Sequence, residues 1–250
     1  MISLQTILFA LLGGVLPALL WLWFWLKEDK ARPEPRGLLI LTFVLGMVSV
    51  LFAIFFENIA VKFLTGEFFS ALILNSPLDF LLRESYSIAI AAGPIEELVK
   101  YAAVALFVLG REANDEPIDA IIYMITVALG FAALENTLFL LNTLVHGEFI
   151  DTILTGNLRF FGATLLHTLA SAVVGSALAI SFYKTTAIRI VSTIIGIVIA
   201  IILHSLFNFF IIASNGEKIL TIFFFVWIGI IALILLFEKV KKLYNRDLIK

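Results

Sequence analysis

Two adjacent glutamates and a lysine one turn further on, Glu96-Glu97-x-x-Lys100, interrupt a run that is otherwise apolar from Tyr86 to Leu109. That run is long enough to cross a bilayer, where each ionised side chain near the centre costs at least ~2.5–3.5 kcal/mol. Compensation must come from elsewhere in the chain, and residues of the matching kinds recur. Glu135 with Asn136, His167, and His204 with Asn208 each interrupt a later apolar run. Imidazoles and carboxylates can hold a divalent metal with one position left open for water, while another carboxylate acts as base. The same groups can work without metal: a glutamate activates water while histidine and asparagine stabilise a tetrahedral oxyanion. Both routes are hydrolytic. The H-E-x-x-H and G-x-S-x-G signatures are absent, and the chain has no cysteine, which excludes thiolate nucleophiles, disulfides and Cys-ligated metals.

The elements that must position these residues are membrane helices. Hydrophobic residues make up 62% of the 250 and charged residues only 14%, with a mean hydropathy of +1.09, against about half apolar and a quarter charged in an ordinary soluble domain. Seven spans are expected, at residues 4 to 26, 38 to 61, 85 to 109, 119 to 144, 160 to 183, 189 to 213 and 219 to 237. The expected fold class is therefore all-α, a polytopic membrane helix bundle forming a single domain over residues 1 to 250. The N-terminus lacks a basic n-region and its apolar run reaches Leu26, so it reads as a retained first span rather than a signal peptide. The loop from Lys27 to Arg36 is charged and carries two prolines, and belongs in solvent. The 62 to 84 connection mixes breakers with Phe and Leu, as an interfacial helix would.

Counting Lys and Arg on alternate sides gives twelve on the face holding the 27 to 37 loop and the C-terminal tail, and four on the other. The positive-inside rule then puts the N-terminus outside and a basic tail, residues 239 to 250, in the cytoplasm. Trp21, Trp23 and Trp25 fall at the cytoplasmic interface, and Glu57 and Asn58 read as interfacial residues at the end of the second span. No basic patch suggests a nucleic-acid partner; the bilayer itself is the expected surrounding.

At ~1.5 Å per residue, Glu96, Glu135, His167 and His204 all lie ~20 to 24 Å from the cytoplasmic ends of their spans. Four helices of alternating direction thus bring polar groups to one level, beyond the midplane towards the outer leaflet. Glu96 and Lys100 are spaced to pair at i,i+4, with Glu97 about 100° away, and His204 and Asn208 share a face. Pro94 is expected to kink its helix or to begin a new one. Singly, a buried histidine or asparagine is ordinary interhelical glue. Three carboxylates, two histidines and an amide at one depth make a site.

The ordered set Glu96-Glu97-x-x-Lys100, Gly130-Phe131-x-x-x-Glu135-Asn136, His167 and His204-x-x-x-Asn208 resembles the PrsW family of intramembrane proteases. That family is itself similar to the CAAX prenyl protease and bacteriocin-immunity group. The resemblance covers a core of about residues 85 to 213, and Asp119 and Arg159 also fit it. It implies hydrolysis of a membrane-anchored protein, of anti-sigma-factor type, near its extracytoplasmic face in a prokaryotic plasma membrane. It implies Glu96, Glu97, Lys100 and Asn208 as the catalytic set. Glu97, Glu135, His167 and His204 are the implied ligands of one divalent ion, zinc the best match, with a metal-free glutamate route as the other possibility. Lys100 and the Glu135-Asn136 pair favour this family over the prenyl-peptidase branch. A proton- or cation-coupled transporter is the alternative from another class, since intramembrane Glu, His and Lys also build proton relays.

Overall fold

The computed structural model describes residues 2–29, 32–64, 86–146, 149–214 and 217–247, and among these there is no strand. The helices are α1 (Leu4–Trp25), α2 (Arg36–Leu64), α3 (Tyr86–Phe107), α4 (Pro117–His146), α5 (Phe149–Leu158), α6 (Thr164–Ile180), α7 (Thr186–Ala213) and α8 (Ile219–Asp247). A π-helical turn, Arg159–Ala163, joins α5 to α6 without a break, so the described helices form seven rods. Six of these are long and apolar enough to cross a membrane. The exception is α3, whose 22 residues suffice in length but carry Glu96, Glu97 and Lys100 through the middle. The protein is an all-α integral membrane bundle, as the composition predicts. The interfacial segment expected at 62 to 84 lies mostly outside the described residues.

Helix α4 is the axis of the bundle. It is apolar all round, and every residue from Pro117 to Ala133 is buried, as expected of a helix surrounded by others. Its start is well specified: Pro117 opens the first turn, and Asp119 Oδ2 accepts from the backbone N–H of Asp115 at 2.9 Å and of Glu116 at 2.6 Å. Small residues let neighbours approach. A Cβ on Gly130 would collide with the Phe43 carbonyl of α2, and one on Gly46 with the Val127 carbonyl of α4, so the two backbones touch there. On the other side, Gly93 of α3 packs directly on Ser205 of α7. The second crossing sets Glu96 and Glu97 of α3 beside His204 of α7.

Several local expectations are revised. Helix α3 continues through Pro94, so no new helix begins there. The fifth span begins earlier than expected, since α5, the π turn and α6 form one apolar rod from Thr152 to Ile180. The segment expected as a tail from 239 is helical to Asp247, and Val240 is buried in the core. Trp23 is 58% exposed with Lys27 Nζ 3.2 Å over its ring, whereas Trp21 is half-buried against Phe160 and Trp227. Trp25 is fully buried and stacks on Phe237 at 5.6 Å, fixing α8 against α1. At that end of the bundle the loops are clasped by buried acids: the Glu34 N–H donates to Asp29 Oδ2 at 3.3 Å, and Tyr123 donates to Glu34. Asp29, Glu34 and Asp119 bring carboxylate oxygens within 4.8 Å of one another, and Lys241 Nζ reaches Glu28 at 2.7 Å.

Candidate active site

The polar residues of α3, α4, α6 and α7 meet in the interior. Glu96, Glu97, Lys100, His167 and His204 are all buried, none more than 6% exposed. Glu97 is the most tightly held: it accepts from Lys100 Nζ at 2.5 Å and His204 Nδ1 at 2.8 Å on Oε1, and from Ser171 Oγ at 3.1 Å on Oε2. The expected Glu96–Lys100 pair is the looser one, at 3.9 Å. Rotation by 100° between neighbours in a helix explains the exchange: Lys100 swings to the i,i+3 glutamate.

His167 is held from two sides. Its Nε2 lies 2.9 Å from Glu135 Oε2 and its Nδ1 lies 3.1 Å from Lys100 Nζ. A carboxylate only accepts and an ammonium only donates, so the ring proton sits on Nε2 and Nδ1 presents a lone pair. By the same reasoning His204 donates through Nδ1 to Glu97, which leaves Nε2 facing Glu96. Each histidine is therefore oriented by a carboxylate on one nitrogen and turns the other inward, the arrangement that usually supports metal-binding imidazoles.

Glu135 is in turn fixed by Arg159 Nη2 at 2.6 Å, while Arg159 Nε donates to Asn136 Oδ1 at 2.5 Å and Asn136 Nδ2 donates to Thr164 Oγ1 at 2.9 Å. The π turn begins at Arg159, and the extra residue it inserts turns this side chain towards α4. The guanidinium also lies 3.9 Å over the Phe139 ring.

In contrast, Glu96 Oε2 is buried and has no hydrogen-bond donor. It lies 3.6 Å from His167 Nδ1 and 3.7 Å from His204 Nε2, and one ligand-type atom from each of the three residues falls within 4.8 Å of the others. Ligand atoms ~2.0–2.1 Å from a tetrahedral zinc stand about 3.4 Å apart, so the spacing suits such an ion. Charge suits it too. Glu57, Glu96, Glu97 and Glu135 are four carboxyl groups against two cations, Lys100 and Arg159, a surplus that one divalent cation balances at full ionisation.

Sequence reasoning brought Glu96, Glu97, Glu135, His167 and His204 to one level, and they are in mutual contact. Asn208 is not part of this network: it is half-buried, one turn beyond His204. Two participants were not expected. Ser171 lies four residues after His167, a spacing that would have found it. Glu57 is not interfacial: it is 5% exposed, its Oε1 has no partner, and it lies within electrostatic reach of Glu135, Glu96 and Lys100. Depth counting missed it because α2 has 29 residues, ~43 Å of helix, which is longer than a ~30 Å core and places residue 57 at the wrong level.

A bundle of membrane helices thus encloses two oriented histidines and a carboxylate oxygen with no donor, a donor set of the kind that can hold a divalent ion. A family described as PrsW family intramembrane metalloprotease matches residues 34–236, and the chain belongs to it. Similar proteins named Protease PrsW include one from Bacillus subtilis (strain 168), 25% identical over 212 residues, which are 84% of this chain and 86% of that one. Another, from Oceanobacillus iheyensis, is 26% identical over 223 residues, 88% and 91% of the two chains. The Geobacillus kaustophilus protein is 33% identical over 129 residues, so the alignment spans about half of each chain, 52% and 51%. No solved structure matches.

Proposed function

We propose that this chain is an endopeptidase that hydrolyses a membrane-anchored protein, of anti-sigma-factor type, on the extracytoplasmic side of a prokaryotic plasma membrane. The observation that carries the reading is Glu96 Oε2: a buried carboxylate oxygen with no donor, within 3.7 Å of an inward nitrogen on each histidine. Glu96, His167 and His204 would hold one divalent ion, zinc best suiting the N/O donor set. When bound, such an ion supplies Lewis acidity and lowers the pKa of water.

The chain's own groups divide the remaining work. Glu97 and Glu135, expected as ligands, act in this proposal as supports that fix the tautomers of His204 and His167. Lys100 balances Glu97, and its contact with the His167 Nδ1 lone pair would give way to the ion when one binds. Glu96 Oε2, which has no donor, is also free to accept a proton from water, which keeps a metal-free glutamate route in view. Asn208 is outside the network and free to donate its amide to the carbonyl oxygen of a scissile bond. The basic-residue count supports an outside N-terminus and a cytoplasmic C-terminus, which puts the site in the outer half of the bilayer.

The test is proteolysis of a co-expressed, tagged single-span protein of anti-sigma-factor type by the wild type and by Glu96→Gln and Glu97→Gln. Full cleavage by both variants sinks the reading. Ion flux in proteoliposomes without any peptide hydrolysis would favour the transporter instead. The prenyl-peptidase branch would be favoured if only a lipidated C-terminal peptide were cut.

A further inference from the structure

Among the described residues the groups of the site are buried, and a membrane-embedded substrate reaches such a site through the side of the bundle. An apolar cleft of about 860 Å³ opens between α7 and α8, with α6 as its floor. Leu203, Phe207 and Phe210 form one wall, Ile222 and Phe225 the other, and Leu166 lies at the bottom. Leu166 and Leu203 immediately precede His167 and His204. The same turns of α6 and α7 that carry the histidines therefore also line the cleft. The cleft runs along α7 from Leu203 to Ser214, a rise of ~16 Å, and ends at a polar rim of Glu217 and Lys218.

We propose that this cleft is the docking site for the transmembrane segment of the protein substrate, which lies between α7 and α8 before cleavage. The proposal rests on the protease reading above. Three features favour a peptide over a lipid chain as occupant. The walls follow two helices for several turns, as a third helix packed against them requires. Ser214 and Thr221 line the cleft, and their hydroxyls can hydrogen-bond a polypeptide, whereas an acyl chain has no use for them. The charged rim lies where the juxtamembrane residues of a single-span protein would emerge. Phe207 of that wall stacks on Phe223 at 6.3 Å and 4°, and Phe223 lies against Gly162 of the π turn. This aromatic pair is what an unwinding substrate would displace on its way to the histidines.

The test uses the full chain in proteoliposomes with the same tagged single-span probe. The chain has no native cysteine, so a photo-crosslinker can be attached to Leu206→Cys or Phe225→Cys in a Glu96→Gln background that holds the probe uncut. Both positions should crosslink the probe, while a crosslinker at Leu12→Cys, in the groove between α1 and α5, should not. Filling the cleft with Thr221→Trp in the otherwise wild-type chain should slow cleavage roughly tenfold or more, equivalent to ~1.4 kcal/mol. Filling the other groove with Gly156→Leu should leave cleavage within about twofold. Should Thr221→Trp lower the melting temperature, the crosslinks, made without it, still decide the matter. Crosslinks to lipid alone, crosslinks to the probe from Leu12→Cys alone, or unchanged cleavage in Thr221→Trp would each overturn the docking site while leaving the protease reading intact. Failure of the wild type to cut the probe would instead remove the protease reading, and the docking site with it.

Discussion

Exchanging single glutamates for glutamine separates a metal ligand from its supports, because the two adjacent acids have different partners. Glu96 offers an oxygen with no donor, 3.6 and 3.7 Å from the two inward imidazole nitrogens. Glu97 spends Oε1 on Lys100 and His204 and Oε2 on Ser171. Glu96→Gln therefore removes one of the three proposed ligands and its charge, whereas Glu97→Gln and Glu135→Gln leave all three and loosen one imidazole each. Loss of an outer support typically costs 10–100-fold in metal affinity, or about 1.4–2.8 kcal/mol. Loss of a ligand should exceed that, leaving no stoichiometric ion after dialysis. The assay is zinc or cobalt content of the purified protein by elemental analysis, followed by competition against a chelator of known affinity. Wild type, Glu97→Gln and Glu135→Gln should each carry about one ion per chain, the two variants more weakly, and Glu96→Gln none. Full affinity in Glu96→Gln would refute the ligand assignment. A wild type that binds no ion yet cleaves would leave the metal-free glutamate route.

Burial, with Asp119 nearby as the next cause, raises Asp29 to about 7 and Glu34 to about 9 from their ordinary values of 3.8 and 4.5. The folded state thus holds protons that the unfolded chain has released above about pH 4 to 5, so stability falls as pH rises through 7 towards 9. Thermal melts in detergent should show a lower melting temperature at pH 9 than at pH 6, and Asp29→Asn with Glu34→Gln should flatten that slope; a rise with pH contradicts it. Replacing Glu57 by Leu removes a buried oxygen without a partner and should raise thermal stability by about 1 kcal/mol or more, read as a higher melting midpoint. Gly130→Ala drives a methyl into the Phe43 carbonyl and should cost ~1–3 kcal/mol, visible in the same melt; an unchanged midpoint would mean that α2 and α4 can separate freely. Arg159→Lys keeps the charge but loses the fork that spans Glu135 and Asn136, so cleavage should fall with the single-span probe; wild-type rates would show that the fork is dispensable.

Most of the site was legible because intramembrane polar residues are few and helical rise is regular. Glu96, Glu135, His167 and His204 could be brought to one depth by counting, and an ideal helix makes such counts accurate to about a turn. The pairings were less legible. Whether Lys100 takes the i,i+3 or the i,i+4 glutamate depends on which face α7 presents, and that follows from Gly93 meeting Ser205, a contact between residues 112 positions apart. Glu57 illustrates the opposite failure. Its helix exceeds the thickness of the hydrocarbon, so residue number no longer measures depth. Trp25 was misplaced for a related reason: an aromatic at a span end belongs at the interface only when no neighbour covers it, and α8 extends far enough for Phe237 to do so.

The opening pair of glutamates is best understood through what each neighbour contributes. Were Glu96 and Glu97 equivalent, Lys100 could neutralise only one, and the other would be an uncompensated buried charge, whose cost is several kcal/mol. The bundle makes them unequal by giving Glu97 three donors from three helices and Glu96 Oε2 none. Glu97 then belongs to the scaffold, along with Glu135 and Arg159, and its removal should disturb the orientation of His204 before it disturbs anything else. Glu96 retains the unmet demand for a cation or a proton, and that demand is what a hydrolytic site needs at the point where water is activated.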